Sequence, residues 1–447
     1  MHEGAIAGSE TLLGQLQRGR GRGYLAAIRA GGGEAELLTC IVHDPRWDQQ
    51  LEERASYYGR LAVELGLSVD PIAKAVREGD PHDGIGGLPA DVLMEMALRG
   101  RTDALRALRE ELRHDGWLSA LEALVYAEHE YGRQLLEFDD IGVVAGRDAD
   151  ELKPLFFNHA LLPWREWASS QSRLRTLLEE VNAAEKPAPQ PPAPNPDTAM
   201  STSELLAIAE PRNGVKVARL LTQRSDEDSI AAMVEAARGA DRIQRLAAFR
   251  ALGAQGNPVL LEEASLLLES DPGGPSRGRR MPILSYLEAL PSDETLPRAR
   301  GWLDHHGGAA IAAEGILALH AHDGDRELVE ATLSRALDDD SIYRACSMVK
   351  ALTVIADPAS APLLVQVFER IPYSWARPRV LRALHASGAK AGQRLACEAL
   401  WDCDMEAREL AAEITPLNDS ARARLEGMAA DSFEEERVRS AAQERLR

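Results

Sequence analysis

The stretch "LDDDSIYRACSMVKALTVIADPASAPLLVQVF" (Leu337–Phe368) decides the fold of this chain. Its aspartates and Ser341 favour a turn and a helix start, and an apolar stripe with helical spacing then runs on through Leu352. The segment "ADPASAP" interrupts this helix, because proline cannot continue it, and a second apolar stripe follows. The stretch therefore predicts a helix–turn–helix unit.

Similar units recur on both sides of this stretch. The last large apolar residue of the recurring helix returns about every 32 residues, at Leu252, Leu287, Leu319, Leu352, Leu384, Ile414 and Leu446. Helical hairpins repeated at a fixed period are typical of α-solenoids, in which each unit packs against its neighbours. The composition agrees, because alanine and leucine are abundant whereas aromatic residues are only 5%. We therefore predict an all-α protein built as an α-solenoid.

The segment "DDDSIYRACSMVKALTVIADPASAPLL" resembles a HEAT repeat of the short bacterial kind, found in phycobilisome-lyase-like HEAT proteins. In that family an Asp in the turn and an Arg four residues later link neighbouring repeats. This chain has the same spacing at Asp340/Arg344, Asp404/Arg408 and Asp241/Arg245. The resemblance covers residues 225–447 well and the N-terminal half loosely. It implies a fold of HEAT-like hairpins and does not specify an activity.

A proline-rich segment, "EKPAPQPPAPNPDTAM" (Glu185–Met200), predicts a boundary between two helical segments. Its six prolines favour an extended, semi-rigid chain over a helix. Ser201 and Glu204 then form the pattern of a capping box that starts a new helix. We predict an N-terminal α-helical domain of diverged HEAT-like hairpins at 1–184, a linker at 185–200, and a C-terminal HEAT-repeat domain at 201–447.

The bulk charge and the cysteines bear on partners and location. The formal net charge is −20, which repels phosphate backbones and makes nucleic acid an unfavourable partner. The four cysteines lack a paired CxxC pattern, which favours free thiols in a reducing compartment. The sequence offers neither the pattern of a signal peptide nor an apolar run long enough for a membrane span. We therefore expect a cytoplasmic protein without a membrane partner.

Glycine and arginine alternate in "LQRGRGRGYLAAIRAGGG" (Leu16–Gly33). The stretch lacks the Gly-Lys-Ser/Thr of a phosphate-binding loop. An Arg-Gly pair between two apolar helices recurs in "MALRGRTDALRAL" and "EAARGADRIQRLAAF". We interpret the pair as a helix-to-helix turn, with glycine in the left-handed conformation and arginine at the helix end. The additional charges of Arg20 and Arg22 are candidates for contact with an acidic or phosphorylated partner.

Aromatic residues and arginines gather in "IPYSWARPRVLRAL" (Ile371–Leu384). These residue types are enriched in binding hot spots, although Trp375 could instead pack between repeats. With the two arginines of the Gly-Arg stretch, the candidates for partner binding are Tyr343, Tyr373, Trp375, Arg377, Arg379, Arg20 and Arg22.

Histidines and aspartates gather between Asp304 and Asp325, and such side chains can bind a divalent metal. His305 and His306 are adjacent, however, and His320 and His322 face different sides of a helix or lie in a turn. We predict no metal site, no cofactor and no catalytic residue.

These observations favour a non-enzymatic HEAT-repeat scaffold or adaptor that binds a protein partner through its extended surface. Two alternatives remain open. One is a HEAT-fold enzyme acting on DNA, similar to the alkyl-base DNA glycosylases, which would need a basic groove containing an aromatic residue and a carboxylate. The other is a metal-dependent HEAT enzyme that uses the region from His305 to Asp325.

Overall fold

A computed structural model of the chain describes residues 6–79, 87–158, 162–184, 195–270 and 277–447. These residues form helices joined by turns, and no β-strand occurs within those ranges. The predicted all-α fold class is confirmed.

Contacts between Cα atoms group the chain into two compact units. Unit 1 comprises the described residues within 1–188, 368–381 and 390–447, and unit 2 those within 189–367 and 382–389. This grouping joins residues 390–447, which the sequence predicts to lie in the C-terminal domain, with the N-terminal segment. The grouping does not test independent folding, so the predicted linker stays a prediction. Its residues 185–194 lie outside the described residues.

The helices of unit 1 before residue 185 are α1 (Leu12–Gln17), α2 (Gly21–Ala30), α3 (Glu34–Val42), α4 (Ala55–Leu65), α5 (Asp70–Glu78), α6 (Leu88–Leu98), α7 (Thr102–Glu111), α8 (Trp117–Tyr131), α9 (Phe138–Ala145), α10 (Ala149–Leu152), α11 (Leu155–Asn158), α12 (Trp164–Ser170) and α13 (Ser172–Ala184). Helix α6 contacts α4, α5, α7 and α8. It can lie centrally because it is apolar on several sides, and Val92, Leu93 and Met96 are completely buried.

Unit 2 contains the helices α14 (Thr202–Ala207), α15 (Gly214–Leu221), α16 (Glu227–Arg238), α17 (Arg242–Ala254), α18 (Leu261–Glu269), α19 (Arg277–Ala289), α20 (Ser292–Trp302), α21 (Gly308–His320), α22 (Arg326–Asp338) and α23 (Ile342–Ile355). Short 3-10 turns lie at Pro258–Leu260, Asp323–Asp325 and Pro358–Ser360. The chain continues with α24 (Ala361–Arg370), α25 (Ala376–Ala386), α26 (Lys390–Ala399), α27 (Met405–Ile414), α28 (Asp419–Ala430) and α29 (Glu436–Leu446).

The helices of unit 2 pack in a regular order. Helices α15, α17, α19, α21 and α23 contact one another in succession. Helices α16, α20 and α22 each pack against the helix that follows them in the chain. The contacts are therefore made between neighbours along the sequence.

Side chains at the helix starts explain several boundaries. Ser201 accepts a hydrogen bond from the Glu204 backbone N–H, and the Glu204 carboxylate accepts one from the Ser201 backbone N–H, so the predicted capping box is confirmed. The carboxylates of Asp241 and Asp404 accept bonds from backbone N–H groups in the first turns of α17 and α27. These caps satisfy donors that have no partner within the helix.

Within the described ranges, no helix combines the length and the apolar character that crossing a membrane requires. All four cysteines are free thiols.

Candidate functional site

The Gly-Arg stretch forms the predicted turn between two helices. Helix α1 ends at Gln17 with Arg18 as its C-cap, Gly19 has φ 66°, and α2 begins at Gly21. The left-handed glycine after Arg is confirmed here and again at Gly100, where φ is 90°. It is wrong for Gly239, whose φ is −66° and whose backbone is extended.

Two glycines of this turn are required by close contacts within unit 1. A Cβ at Gly19 would overlap the Sγ atom of Cys403, and a Cβ at Gly21 would overlap the carbonyl oxygen of Glu398. The Tyr57 hydroxyl donates to the Arg20 carbonyl oxygen at 2.8 Å. The stretch is therefore a packed element of the core, and its glycines serve close approach rather than a phosphate.

Arg20, which the sequence suggests as a partner contact, is buried within unit 1. Its side chain is 1% exposed, and its guanidinium donates to both carboxylate oxygens of Glu398 at 2.9 and 3.2 Å. It also lies 5.5 Å from the centre of the Phe368 ring. A buried charge needs such a partner, so Arg20 is committed within the unit. Arg22 is exposed and stays a candidate.

Two further binding candidates, Tyr373 and Arg377, also lie in the interior of unit 1. Tyr373 is buried, and Arg377 is completely buried with both oxygens of Asp402 at 2.7 and 2.8 Å. Trp375 and Arg379 are half-buried, and the Arg379 guanidinium lies over the Trp375 ring at 5.9 Å. The segment Ile371–Leu384 therefore packs mainly into the core of the protein and leaves little exposed surface.

Cys403 lies among the buried arginines. The Nη1 atom of Arg54 donates to its Sγ atom at 2.9 Å, and the Nη2 atom of Arg377 does so at 3.3 Å. Arg54 is itself paired with Glu52 at 2.9 Å. Burial raises the pKa of the Cys403 thiol to about 12, so the thiol stays protonated at neutral pH. Cys403 is therefore a neutral thiol next to arginines that are themselves paired with carboxylates.

Another buried ion pair lies beside these residues: the side chains of Arg408 and Glu434 are 2.7 Å apart. Burial disfavours the charged form of Glu434, but Arg408, Arg60 and Arg424 outweigh it and lower the pKa of Glu434 to about 2. Burial and the nearby Asp402 carboxylate raise the pKa of Asp404 to about 6. We name these charged residues the buried ion cluster; its members are Arg20, Glu52, Arg54, Arg377, Glu398, Asp402, Asp404, Arg408 and Glu434.

The histidines of the region from His305 to Asp325 make separate contacts. The His322 ring lies 2.8 Å from the Nη2 atom of Arg300, which also pairs with Asp325. The His320 ring lies 3.0 Å from the Glu288 carbonyl oxygen. Across the part of the chain that the structure describes, no group of three or more His, Cys, Asp or Glu residues is placed to hold a metal ion.

Unit 2 presents a different kind of site on α19, α21 and α23. Apolar side chains are exposed within the first five residues of these helices, with Met281 at 55%, Ile311 at 43% and Tyr343 at 51%. Leu319 and Val354 are exposed nearer the ends of α21 and α23. Of these residues, only Tyr343 is among the binding candidates that the sequence suggests.

Contacts between the helices place these residues on one face. The His320 ring contacts a Glu288 oxygen, which joins residues 32 apart, and the Nε atom of Arg344 donates to Glu314 at 2.6 Å, which joins residues 30 apart. The three helices therefore lie next to one another in the order α19, α21, α23. Met281, Ile311 and Tyr343 follow one another at intervals close to the repeat period, and each lies in the first half of its helix.

The middle of this face is polar and closely packed. Gly315 has no side chain, and a Cβ there would overlap the Glu288 carboxylate. Lys350 on α23 acts electrostatically on Glu288 on α19, across α21. Burial nevertheless raises the pKa of Glu288. We call this face the α19–α21–α23 surface; its residues are Met281, Glu288, Ile311, Glu314, Gly315, Leu319, Tyr343, Arg344, Lys350 and Val354.

One signal in the sequence could have found this surface. Met281, Ile311 and Tyr343 are apolar, recur with the repeat period, and lie outside the stripe that forms the core. Comparison with known proteins adds no identification: no protein-family model, curated protein or solved structure shows a significant match to the chain.

Proposed function

We propose that the chain is a non-enzymatic, HEAT-like α-solenoid scaffold that binds a protein partner on the α19–α21–α23 surface. The observation that carries this proposal is the set of exposed apolar side chains on three helices that contact one another in succession. Apolar side chains aligned in this way, beside polar groups, mark a contact surface more than a solvated one.

The solenoid part of the proposal is supported by the separation of contacting residues in unit 2. Five side-chain hydrogen bonds between elements join residues 30 to 33 apart, in the pairs Trp302–Glu269, His320–Glu288, Arg335–Asp304, Arg344–Glu314 and Ser360–Glu330. Repeat proteins make such contacts because each unit touches only its neighbours. This separation matches the sequence period.

The HEAT-like part is supported by the resemblance and by two of its signature residues. Asp241 caps α17, and Arg344 pairs with Glu314 on the preceding helix of the stack. The pairing differs in detail from an Asp–Arg link, because the partner of Arg344 is a glutamate. The four free cysteines fit a reducing compartment and support a cytoplasmic location.

The energetics favour a partner with apolar side chains. Burying a large apolar side chain stabilises a complex by roughly 1.5–3 kcal/mol, so a few such contacts outweigh the ordering of surface side chains. Tyr343 can add a polar contact through its hydroxyl while its ring packs.

Site-specific photo-crosslinking tests the proposal. A photoreactive phenylalanine analogue would be placed at Ile311 or Tyr343 of the full chain, in a lysate of the source cells. We expect both positions to crosslink the same partner, because they lie on one face.

Leu266 provides the matched control, since it lies on α18 of the same unit and is 65% exposed. The analogue at this position should not crosslink that partner. Equal crosslinking from Leu266, or none from Ile311 and Tyr343, would overturn the proposal.

A further inference from the structure

We draw no further inference here: the strongest candidate, the group of carboxylates of Glu53, Asp91, Glu130 and Glu435 around the exposed Tyr126 of α8 in unit 1, carries none, because it is a cluster of acidic residues and nothing in the part of the chain that the structure describes shows what would bind there.

Discussion

Buried Arg20 and half-buried Glu398 form a two-point ion pair although they lie 378 residues apart in the chain. Arg20 belongs to the turn before α2 and Glu398 to α26, and these two helices contact each other. The pair fixes the first turn of unit 1 to its last group of helices.

Removing one partner of this pair should destabilise the protein. Arg20→Gln leaves Glu398 without its counter-charge, and breaking a buried pair costs about 3–5 kcal/mol. Urea unfolding measures the loss. Arg22→Gln, at an exposed site, should change the free energy of unfolding by no more than about 0.5 kcal/mol; equal effects would contradict the assignment.

Gly19 and Gly31 allow a matched comparison of space and conformation. Both have left-handed φ, 66° and 59°, but a Cβ at Gly19 would overlap Cys403, whereas a Cβ at Gly31 meets nothing within 4 Å. Gly31→Ala should cost about 1–2 kcal/mol for the conformation alone. Gly19→Ala should cost clearly more, because overlap adds to it. Thermal unfolding of both variants measures the two losses of stability. Equal losses would show that the side chains around Cys403 can move to accommodate the added methyl group.

Because of the buried pair of Arg408 and Glu434, the free energy of unfolding should decrease at acidic pH. Since the folded-state pKa of Glu434 is lowered from 4.5 to about 2, its contribution is present above pH 4.5 and is lost as the pH falls toward 2. Glu434→Gln should lower stability at pH 7 by about 3 kcal/mol or more and flatten this acid dependence. Urea unfolding between pH 2 and 7 measures both effects; parallel curves for the two proteins would contradict the shift.

Asp404 should have the opposite dependence. Its folded-state pKa is raised from 3.8 to about 6, so the folded protein holds this proton more tightly and loses stability as the pH rises from about 4 to 6. Asp404→Asn keeps a capping oxygen for the Ala407 N–H and removes the charge. The variant should match the wild type at pH 4 and exceed its stability at pH 7 by roughly 1–3 kcal/mol. A variant less stable than the wild type at pH 7 would show that the carboxylate charge is needed.

Cys403 and Cys397 should differ in reactivity. Cys403 is buried with a thiol pKa of about 12, whereas Cys397 is half-buried. Since the thiolate is the reacting form, iodoacetamide at pH 8 should modify Cys397 first and Cys403 only on unfolding. Peptide mass spectrometry of the folded protein follows both sites. Early labelling of Cys403 would mean that the buried ion cluster opens in the native state.

The features predictable from the sequence were local ones. Ser201 and Glu204 lie three residues apart, so their capping box needs no distant partner. The left-handed Gly19 follows from a helix end and a turn within a few residues. Helix content follows likewise from apolar spacing, and for this reason the all-α fold class could be predicted.

The site residues could not be predicted because their environments depend on distant segments. From the sequence, an arginine next to a glycine is expected to be exposed. Its burial can be recognised only when a distant carboxylate, here Glu398, is seen to pair with it. The same holds for Arg377, whose partner Asp402 lies 25 residues away, and for Tyr373. The exposure of Met281 and Ile311 likewise depends on which side of the helix stack is covered.

Unit 1 is assembled from segments that precede and follow unit 2 in the chain. On the ribosome, α1 to α13 emerge long before α26 to α29, so Arg20 must wait for Glu398 while all of the intervening residues are made. Unit 2, in contrast, can begin to fold as soon as its own neighbouring helices have emerged. We therefore expect a nascent chain that stops before α26 to keep the Gly-Arg turn accessible to protease, and this protection to arise only when the last helices are released.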